Sequence, residues 1–172
     1  MADIVVAIDG FSGTGKSSTA KKVASALGYT YIDSGAMYRC VAHYFINHQI
    51  DFEMEKDVSA ALDEILISFQ HNKMLNTSEI LLNKKVMDYQ IRLPEVDEIV
   101  SQIAAKPLIR KAMVDRQKKL GLEKKMVMDG RDIGTIVFPD AALKIFMTAN
   151  LHIRSQRRQK ELEEQGIQVS IE

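Results

Sequence analysis

Residues 10–17 read Gly-Phe-Ser-Gly-Thr-Gly-Lys-Ser, a full match to the pattern GxxxxGK[ST]. An apolar run at residues 4–8 precedes this stretch, and residues 17–27 after it are rich in alanine, lysine and serine. A strand, a glycine-rich loop and a helix in this order predict a phosphate-binding loop. Glycines let backbone N–H groups surround a polyphosphate without steric clashes, and the helix directs its positive end at the same anion. The alternative is a glycine-rich turn that binds no ligand.

The loop predicts both a nucleotide and a metal ion. The Lys16 ammonium can reach the β- and γ-phosphates of ATP, and the Ser17 hydroxyl can join the ligands of Mg²⁺. We therefore expect ATP and Mg²⁺ as cofactors. The loop residues expected to surround the ATP phosphates are Gly10, Phe11, Ser12, Gly13, Thr14, Gly15, Lys16, Ser17 and Ser18.

The bulk composition narrows the class of protein. The 172 residues suit one domain, and 23 basic and 23 acidic side chains leave no net charge, which argues against nucleic-acid or membrane-surface partners. Cys40 is the single cysteine and lies in an apolar stretch, so we expect a buried thiol and a reducing compartment. No apolar run approaches the roughly 18 residues of a membrane-spanning helix. We expect a cytoplasmic monomer.

Short strand-like runs alternate with longer helical patterns along most of the chain. This alternation predicts an α/β fold with a parallel sheet flanked by helices on both faces. Because ligands bind at the carboxyl ends of such strands, Gly10, Asp33 and Asp129 should converge there. The predicted strands are 4–8, 29–32, 125–128 and 143–147, and the predicted helices are 17–27 closed by Gly28, 35–47, 94–105, 107–120 closed by Gly121, and 151–165.

The middle of the chain breaks this alternation. Residues 58–66 have a helical pattern, and residues 66–86 then hold short apolar runs separated by Asn72-Lys73 and Asn83-Lys84. Turn residues between short apolar runs predict a small antiparallel β-meander inserted into the parallel core at residues 66–88.

The segment 33–39, Asp-Ser-Gly-Ala-Met-Tyr-Arg, begins a predicted helix where a strand ends. Ser34 and Tyr38 are four residues apart and share one face of that helix, with Arg39 beside them. These side chains, with the fixed cation of Arg39, are candidates for a functional site. The alternative is structural, with Asp33 or Ser34 as a helix cap, Tyr38 in the core and Arg39 solvated.

The segment 126–132, Met-Val-Met-Asp-Gly-Arg-Asp, ends another buried strand. An acid at that position needs a cation or strong hydrogen-bond donors, and beside a phosphate loop the natural partner of Asp129 is Mg²⁺. The planar fork of Arg131 matches phosphate oxygens. The alternative is an Asp–Arg pair that only stabilises the turn.

Two further groups of side chains contain residue types that can bind ligands. Arg154, Arg157 and Arg158 lie close together on one helix, either as a solvated surface or as the start of a mobile lid over ATP. The four histidines show no mutual spacing typical of a metal site.

The combined segments identify a family. The chain has neither the Asn-Lys-x-Asp segment nor the Asp-x-x-Gly segment of a GTPase, which leaves small-molecule kinases. The phosphate loop, the stretches 31–39, 91–96 and 100–110, and Met-Asp-Gly-Arg-Asp-Ile-Gly-Thr at 128–135 resemble bacterial cytidylate kinases in order along nearly the whole chain.

The resemblance implies transfer of the γ-phosphoryl group of ATP to CMP or dCMP, with Mg²⁺. It implies catalytic roles for Lys16, Arg131 and Asp129, and Ser17 and Asp129 as metal ligands. It places the three arginines of residues 150–172 in the start of a lid over ATP. The residues that it places beside CMP are Ser34, Tyr38, Arg39, Ser101, Arg110, Arg131 and Asp132.

The resemblance also leaves alternatives open. Members of the family continue past residue 172 with a further lid segment, a strand and a helix, so we expect this chain to bind nucleotides better than it turns them over. A kinase for UMP or AMP and a non-catalytic nucleotide-binding fragment are the other interpretations.

Overall fold

A computed structural model describes residues 3–72 and 77–164 of the chain. The main sheet has four parallel strands, and its helices lie on both faces, which confirms the predicted fold class. Its strands are β1 Val5–Gly10, β2 Thr30–Asp33, β6 Met126–Gly130 and β7 Leu143–Met147, in the spatial order β2-β6-β1-β7. The helices are α1 Lys16–Leu27, α2 Ser34–Asn47, α3 Glu55–Glu64, α4 Pro94–Ala105, α5 Pro107–Leu120 and α6 Leu151–Glu164.

The register of the parallel strands brings the predicted site segments together. Asp129 of β6 lies opposite Asp33 of β2 on one side and opposite Ile8 of β1 on the other. Gly10 pairs with Met147 at the end of β7. The predicted convergence of the strand ends is therefore confirmed.

Alternating side chains of the sheet enter two different apolar cores. Val6 and Ile8 pack with Ala20 and Ala24 of α1 on one face. Ala7 and Met128 point to the opposite face, where α5 and the turn after β6 cover them. Because both faces of the central strands are buried, the side chains that point to either face must be apolar. These strands are therefore continuous apolar runs in the sequence.

A third core joins the helices to the small antiparallel sheet. That sheet consists of β3 Ile67–Asn72, β4 Thr77–Leu82 and β5 Lys85–Met87 in sequential order, which confirms the predicted meander. Ile80, Leu82 and Met87 pack into the same core as Phe45 of α2. The Asn83-Lys84 turn has φ values of +48° and +67°, as a tight hairpin requires. The predicted turn at Asn72-Lys73 extends into residues outside the described part.

Most helix bounds agree with the sequence to within one residue, and the exceptions have local causes. The helix predicted over 58–66 is α3, which begins at Glu55 because acidic side chains at 55 and 57 favour its positive end. Gly121 caps α5 in a right-handed conformation, and a short 3₁₀ turn continues to Glu123. The chain reverses instead at Lys124 and Lys125, which have positive φ. The predicted last helix residue, Gln165, lies outside the described residues.

The structure bears on two features of the sequence, the single cysteine and the lack of a long apolar run. Cys40 is fully buried, and burial raises the pKa of its thiol to about 12, so it behaves as a small apolar side chain. Over the described residues, no helix is both long enough and apolar enough to cross a lipid bilayer.

We expect Gly28→Ala to lower the free energy of unfolding by about 1 kcal/mol. Gly28 ends α1 with φ +66° and donates its N–H to the last turn, and nothing lies within 4 Å of an added Cβ. The cost therefore reports the left-handed backbone alone, and urea denaturation measures it. Gly28→Asn is the matched control, since asparagine tolerates this conformation and should recover most of the loss. Equal stability of Gly28→Ala and the unsubstituted protein would contradict the assigned cap.

Candidate active site

The phosphate loop has the geometry that an anion-binding loop needs. Gly13 and Gly15 adopt left-handed conformations with φ of +73° and +87°, and α1 begins immediately afterwards at Lys16. Thr14 is buried and its hydroxyl donates to the Phe11 carbonyl at 2.8 Å, which closes the loop on itself. The backbone amides at the start of α1 thus lie beside the loop, at the positive end of the helix.

Asp129 joins the loop to the end of β6. Its carboxylate is buried and accepts a hydrogen bond from the Ser17 hydroxyl at 2.7 Å and another from the Tyr31 hydroxyl at 2.9 Å. The pKa of Asp129 is raised to about 6, chiefly by burial and also by the Asp33 carboxylate, while the two hydroxyl donors and Lys16 oppose the shift. The structure therefore holds a buried acid next to the phosphate loop, and among the described residues no cationic side chain forms an ion pair with it.

These oxygens fit a magnesium ion. The Ser17 hydroxyl and the Asp129 carboxylate already lie within hydrogen-bond distance of each other, and hard oxygen ligands are those that Mg²⁺ prefers. A divalent cation would also relieve the cost of keeping the Asp129 charge buried. Within the described residues no cluster of three or more histidine, cysteine or acidic side chains could hold a metal ion. A nucleotide-associated Mg²⁺ needs no such cluster, because phosphates and waters supply most of its ligands.

The segment 33–39 has both structural and exposed parts. The Asp33 side chain caps α2 by accepting from the Ala36 amide at 2.9 Å, and buried Ser34 donates to the Asp129 carbonyl at 2.7 Å. Arg39 is not solvated as the structural alternative supposed, because it pairs with Asp97 and donates to the Ile91 carbonyl at 3.2 Å. This segment therefore contacts both β6 and α4.

A second group assembles after β6. Asp132 pairs with Arg110 of α5. Burial raises the pKa of Tyr38, Arg110 opposes that shift and Asp132 adds to it, so these three predicted side chains lie within electrostatic range of one another. Arg131 is exposed, and its side chain forms no hydrogen bond or ion pair with the described part of the chain. The alternative of an Asp129–Arg131 pair is wrong, since Asp129 binds Ser17 and Tyr31 instead.

The arginines of α6 contact the phosphate loop rather than forming only a solvated surface. Arg154 donates to the Ser12 carbonyl at 3.0 Å and lies 5.0 Å from the centre of the Phe11 ring. Arg157 donates to the Gly13 carbonyl at 3.1 Å. The approach is close enough that a Cβ on Gly13 would lie 2.7 Å from the Arg154 carbonyl oxygen.

The remaining predicted residues are less closely assembled. Arg158 donates to Asp97 at 2.9 Å, away from the loop. Ser101 is exposed on α4, and among the described residues no hydrogen bond joins it to the other predicted side chains. Its assignment to the CMP side stays a prediction.

Sequence reasoning missed three side chains around this site. Tyr31 binds the carboxylate of Asp129, and Asp97 receives two arginines. Asp9 is buried and accepts from the Ile133 and Gly134 amides at 2.7 and 2.8 Å, at the start of a π-helical turn over Ile133–Val137. An acid in a buried strand directly before Gly10 was a usable signal, because it must find donors. Nothing in the spacing of Asp97 indicated its partners.

Comparison with known proteins supports the arrangement. The sequence model of the family described as Cytidylate kinase matches residues 6–172. A protein of Cytophaga hutchinsonii named cytidylate kinase is 54% identical over 162 residues, which cover 94% of this chain and 69% of that protein. The cytidylate kinase of Flavobacterium johnsoniae is 46% identical over all of this chain and 76% of its own length, and that of Parabacteroides distasonis is 47% identical over the same shares.

We expect the burial of Asp129 to make the stability of the metal-free protein depend on pH. The folded protein favours the protonated acid, so the stability that protonation gives is present below the unfolded pKa of about 4 and is lost as the pH rises through about 6. Relative to Asp129→Asn, the protein should therefore lose on the order of 2 kcal/mol between pH 4 and pH 7.

The measurement is urea denaturation of both proteins in EDTA across this pH range. Asp140→Asn removes one charge from an exposed position but keeps Asp129, so the stability difference between this control and the unsubstituted protein should not change with pH. A stability difference between the unsubstituted protein and Asp129→Asn that stays constant with pH would contradict the effect of burial.

Proposed function

The chain belongs to the cytidylate kinase family, and on that premise we propose that it transfers the γ-phosphoryl group of ATP to CMP or dCMP. The products are ADP and CDP or dCDP. The observation that carries the proposal is the contact between Ser17 of the phosphate loop and Asp129, which begins the Asp-Gly-Arg-Asp segment. That contact puts the donor loop next to the segment assigned to the acceptor.

The donor side binds ATP through backbone amides and cations. The loop amides and the start of α1 surround the phosphates, and the Lys16 ammonium neutralises charge on the β- and γ-phosphates. Ser17 and Asp129 would hold Mg²⁺, which when bound shields the negative charge that develops on the phosphates. Arg154 and Arg157 contact the loop from α6, where they can turn from its carbonyl oxygens to the phosphates.

The acceptor side is built from α2, α5 and the turn after β6. Arg39, Arg110 and Arg131 supply guanidinium groups that match the oxygens of a nucleoside monophosphate. Tyr38 and Asp132 add hydrogen-bonding groups near Arg110. The Ser34 hydroxyl donates to the Asp129 carbonyl, so in this arrangement Ser34 positions the end of β6.

The chemistry requires alignment and charge neutralisation more than a base. A CMP phosphate oxygen is already a nucleophile, so no side chain has to remove a proton before transfer. Exposed Arg131 is suited to bridge the two phosphates, and a single arginine in such a position contributes roughly 10³–10⁵ to the rate. The roles of Lys16, Arg131 and Asp129 thus follow from position and charge.

We also assign two chain segments to the two substrate sides. We assign residues 66–88 to the acceptor side, because Phe69, Ile80 and Met87 pack into the core that contains α2. We assign residues 150–172 to a lid over ATP. A cytoplasmic monomer that binds neither nucleic acid nor membranes agrees with the balanced charge and the buried Cys40.

A panel of nucleoside monophosphates tests the proposal. With MgATP as donor, ADP release should be fastest with CMP and dCMP and at least about tenfold slower with UMP and AMP, because a site that hydrogen-bonds one base leaves polar groups unpaired beside another base. Calorimetry of MgATP binding runs in parallel. ADP release that is fastest with UMP or AMP would overturn the assignment of the acceptor, and binding of MgATP without turnover of any acceptor would overturn the kinase assignment.

We expect Lys16→Ala to lower the rate of phosphoryl transfer by at least about a thousandfold while the fold stays intact. The ammonium neutralises charge that grows on the phosphates during transfer, and it lies at the start of α1, where alanine is a good helix former. The rate is measured by coupled assay, and circular dichroism checks the fold. Lys22→Ala, an exposed lysine of the same helix, is the control and should be near normal. Near-normal activity of Lys16→Ala would reject the role of Lys16.

A further inference from the structure

The Asp97 carboxylate receives two arginines from two different parts of the molecule. Arg39 of α2 pairs with its Oδ1 atom, and Arg158 of α6 donates to its Oδ2 atom at 2.9 Å. The three side chains are only 22%, 23% and 37% exposed for Arg39, Asp97 and Arg158. The cluster is therefore partly shielded from water, and its ion pairs are screened less than those of an open surface.

Arg39 belongs to the proposed acceptor side, and the helix that carries Arg158 contacts the proposed ATP side. Arg39 donates to the Ile91 carbonyl at 3.2 Å, which holds its guanidinium against the turn before α4. The helix of Arg158 contacts the phosphate loop through Arg154, one turn earlier, and through the adjacent Arg157. Helix α6 thus contacts both the phosphate loop and α4, and Asp97 is the α4 residue that Arg158 contacts.

We propose that Asp97 is a positioning residue that orients Arg39 toward the acceptor phosphate and fastens α6 to the acceptor side. The assignment of Arg39 to an acceptor phosphate rests on the proposed function, whereas the attachment of α6 does not. An ionised carboxylate shares its negative charge between both oxygens, so one side chain can hold Arg39 by an ion pair at Oδ1 and Arg158 by a hydrogen bond at Oδ2. The Asp97 carboxylate therefore couples the orientation of Arg39 to the position of α6.

The neutral amide of asparagine cannot replace this carboxylate. In Asp97→Asn one oxygen becomes an NH₂ group, which is a donor and faces a guanidinium that can only donate. Because Asp97 is partly exposed at the surface of α4, the substitution leaves the apolar core unchanged. Glu98→Gln is the matched control, since it removes one charge from the adjacent, exposed residue of the same helix.

Hydrogen exchange without nucleotides tests the attachment of α6. We expect the amides of α6 to exchange about fivefold faster in Asp97→Asn, as for loss of a partly shielded ion pair, and to be unchanged in Glu98→Gln. The exchange rates of α6 in the double variant Asp97→Asn/Arg158→Gln should rise by less than the product of the two single effects, because both changes remove the Asp97–Arg158 contact. Exchange in Asp97→Asn equal to that in Glu98→Gln, or single effects that multiply in the double variant, would overturn the attachment.

Steady-state kinetics test the orientation of Arg39. We expect Asp97→Asn to raise KM for CMP about five- to tenfold, the loss of one oriented charged hydrogen bond, with a smaller change in kcat. Asp97→Glu keeps the charge and should recover part of the loss. An unchanged KM for CMP would overturn the positioning of Arg39 even where exchange responds. Absence of CMP turnover in the unsubstituted protein would count against the proposed function, and the exchange experiment would still decide the attachment of α6.

Discussion

The site depends on a buried carboxylate at the carboxyl end of a central strand. Asp129 lies opposite Asp33 in the sheet register and can stay there only because Ser17 and Tyr31 donate to its two oxygens. Ser17 lies in the first turn of α1, so its hydrogen bond to this acid also fixes the position of the phosphate loop relative to β6. The cost of burying the acid is lowest when a cation is near, which makes the free site selective for a ligand that brings positive charge to this point.

Asp9 on the neighbouring strand is also a buried acid, but its hydrogen-bond donors are of a different kind. It binds the backbone amides of Ile133 and Gly134, which are fixed donors at the start of the turn over Ile133–Val137. Backbone amides cannot rotate away, whereas the hydroxyls on Asp129 can turn toward another partner. Asp9 therefore holds the segment after β6 against the strand that leads into the phosphate loop, while Asp129 remains available to a cation.

The sequence was sufficient for those features that local chemistry determines. The phosphate loop, the parallel strands and the helices that begin at Pro94 and Pro107 follow from glycine spacing, apolar period and proline at the first helical turn. Contacts between elements distant in the chain were not predictable in this way. Asp97 pairs with side chains 58 and 61 residues away, and no local pattern encodes which exposed acid of α4 will meet an arginine. A family resemblance names functional residues, but it does not say what each contacts before a ligand arrives.

The arginines explain how a chain without net charge can bind two polyanions. Arg39 and Arg110 pair with Asp97 and Asp132, and Arg154 donates to a carbonyl of the phosphate loop. Each of these cations is thus held in place by a carboxylate or a carbonyl oxygen of the protein. A bound nucleotide can draw on groups that are already near it, so little side-chain entropy remains to be lost at binding. Acidic residues and carbonyl oxygens of the protein therefore already hold several of the arginines that we assign to phosphate binding.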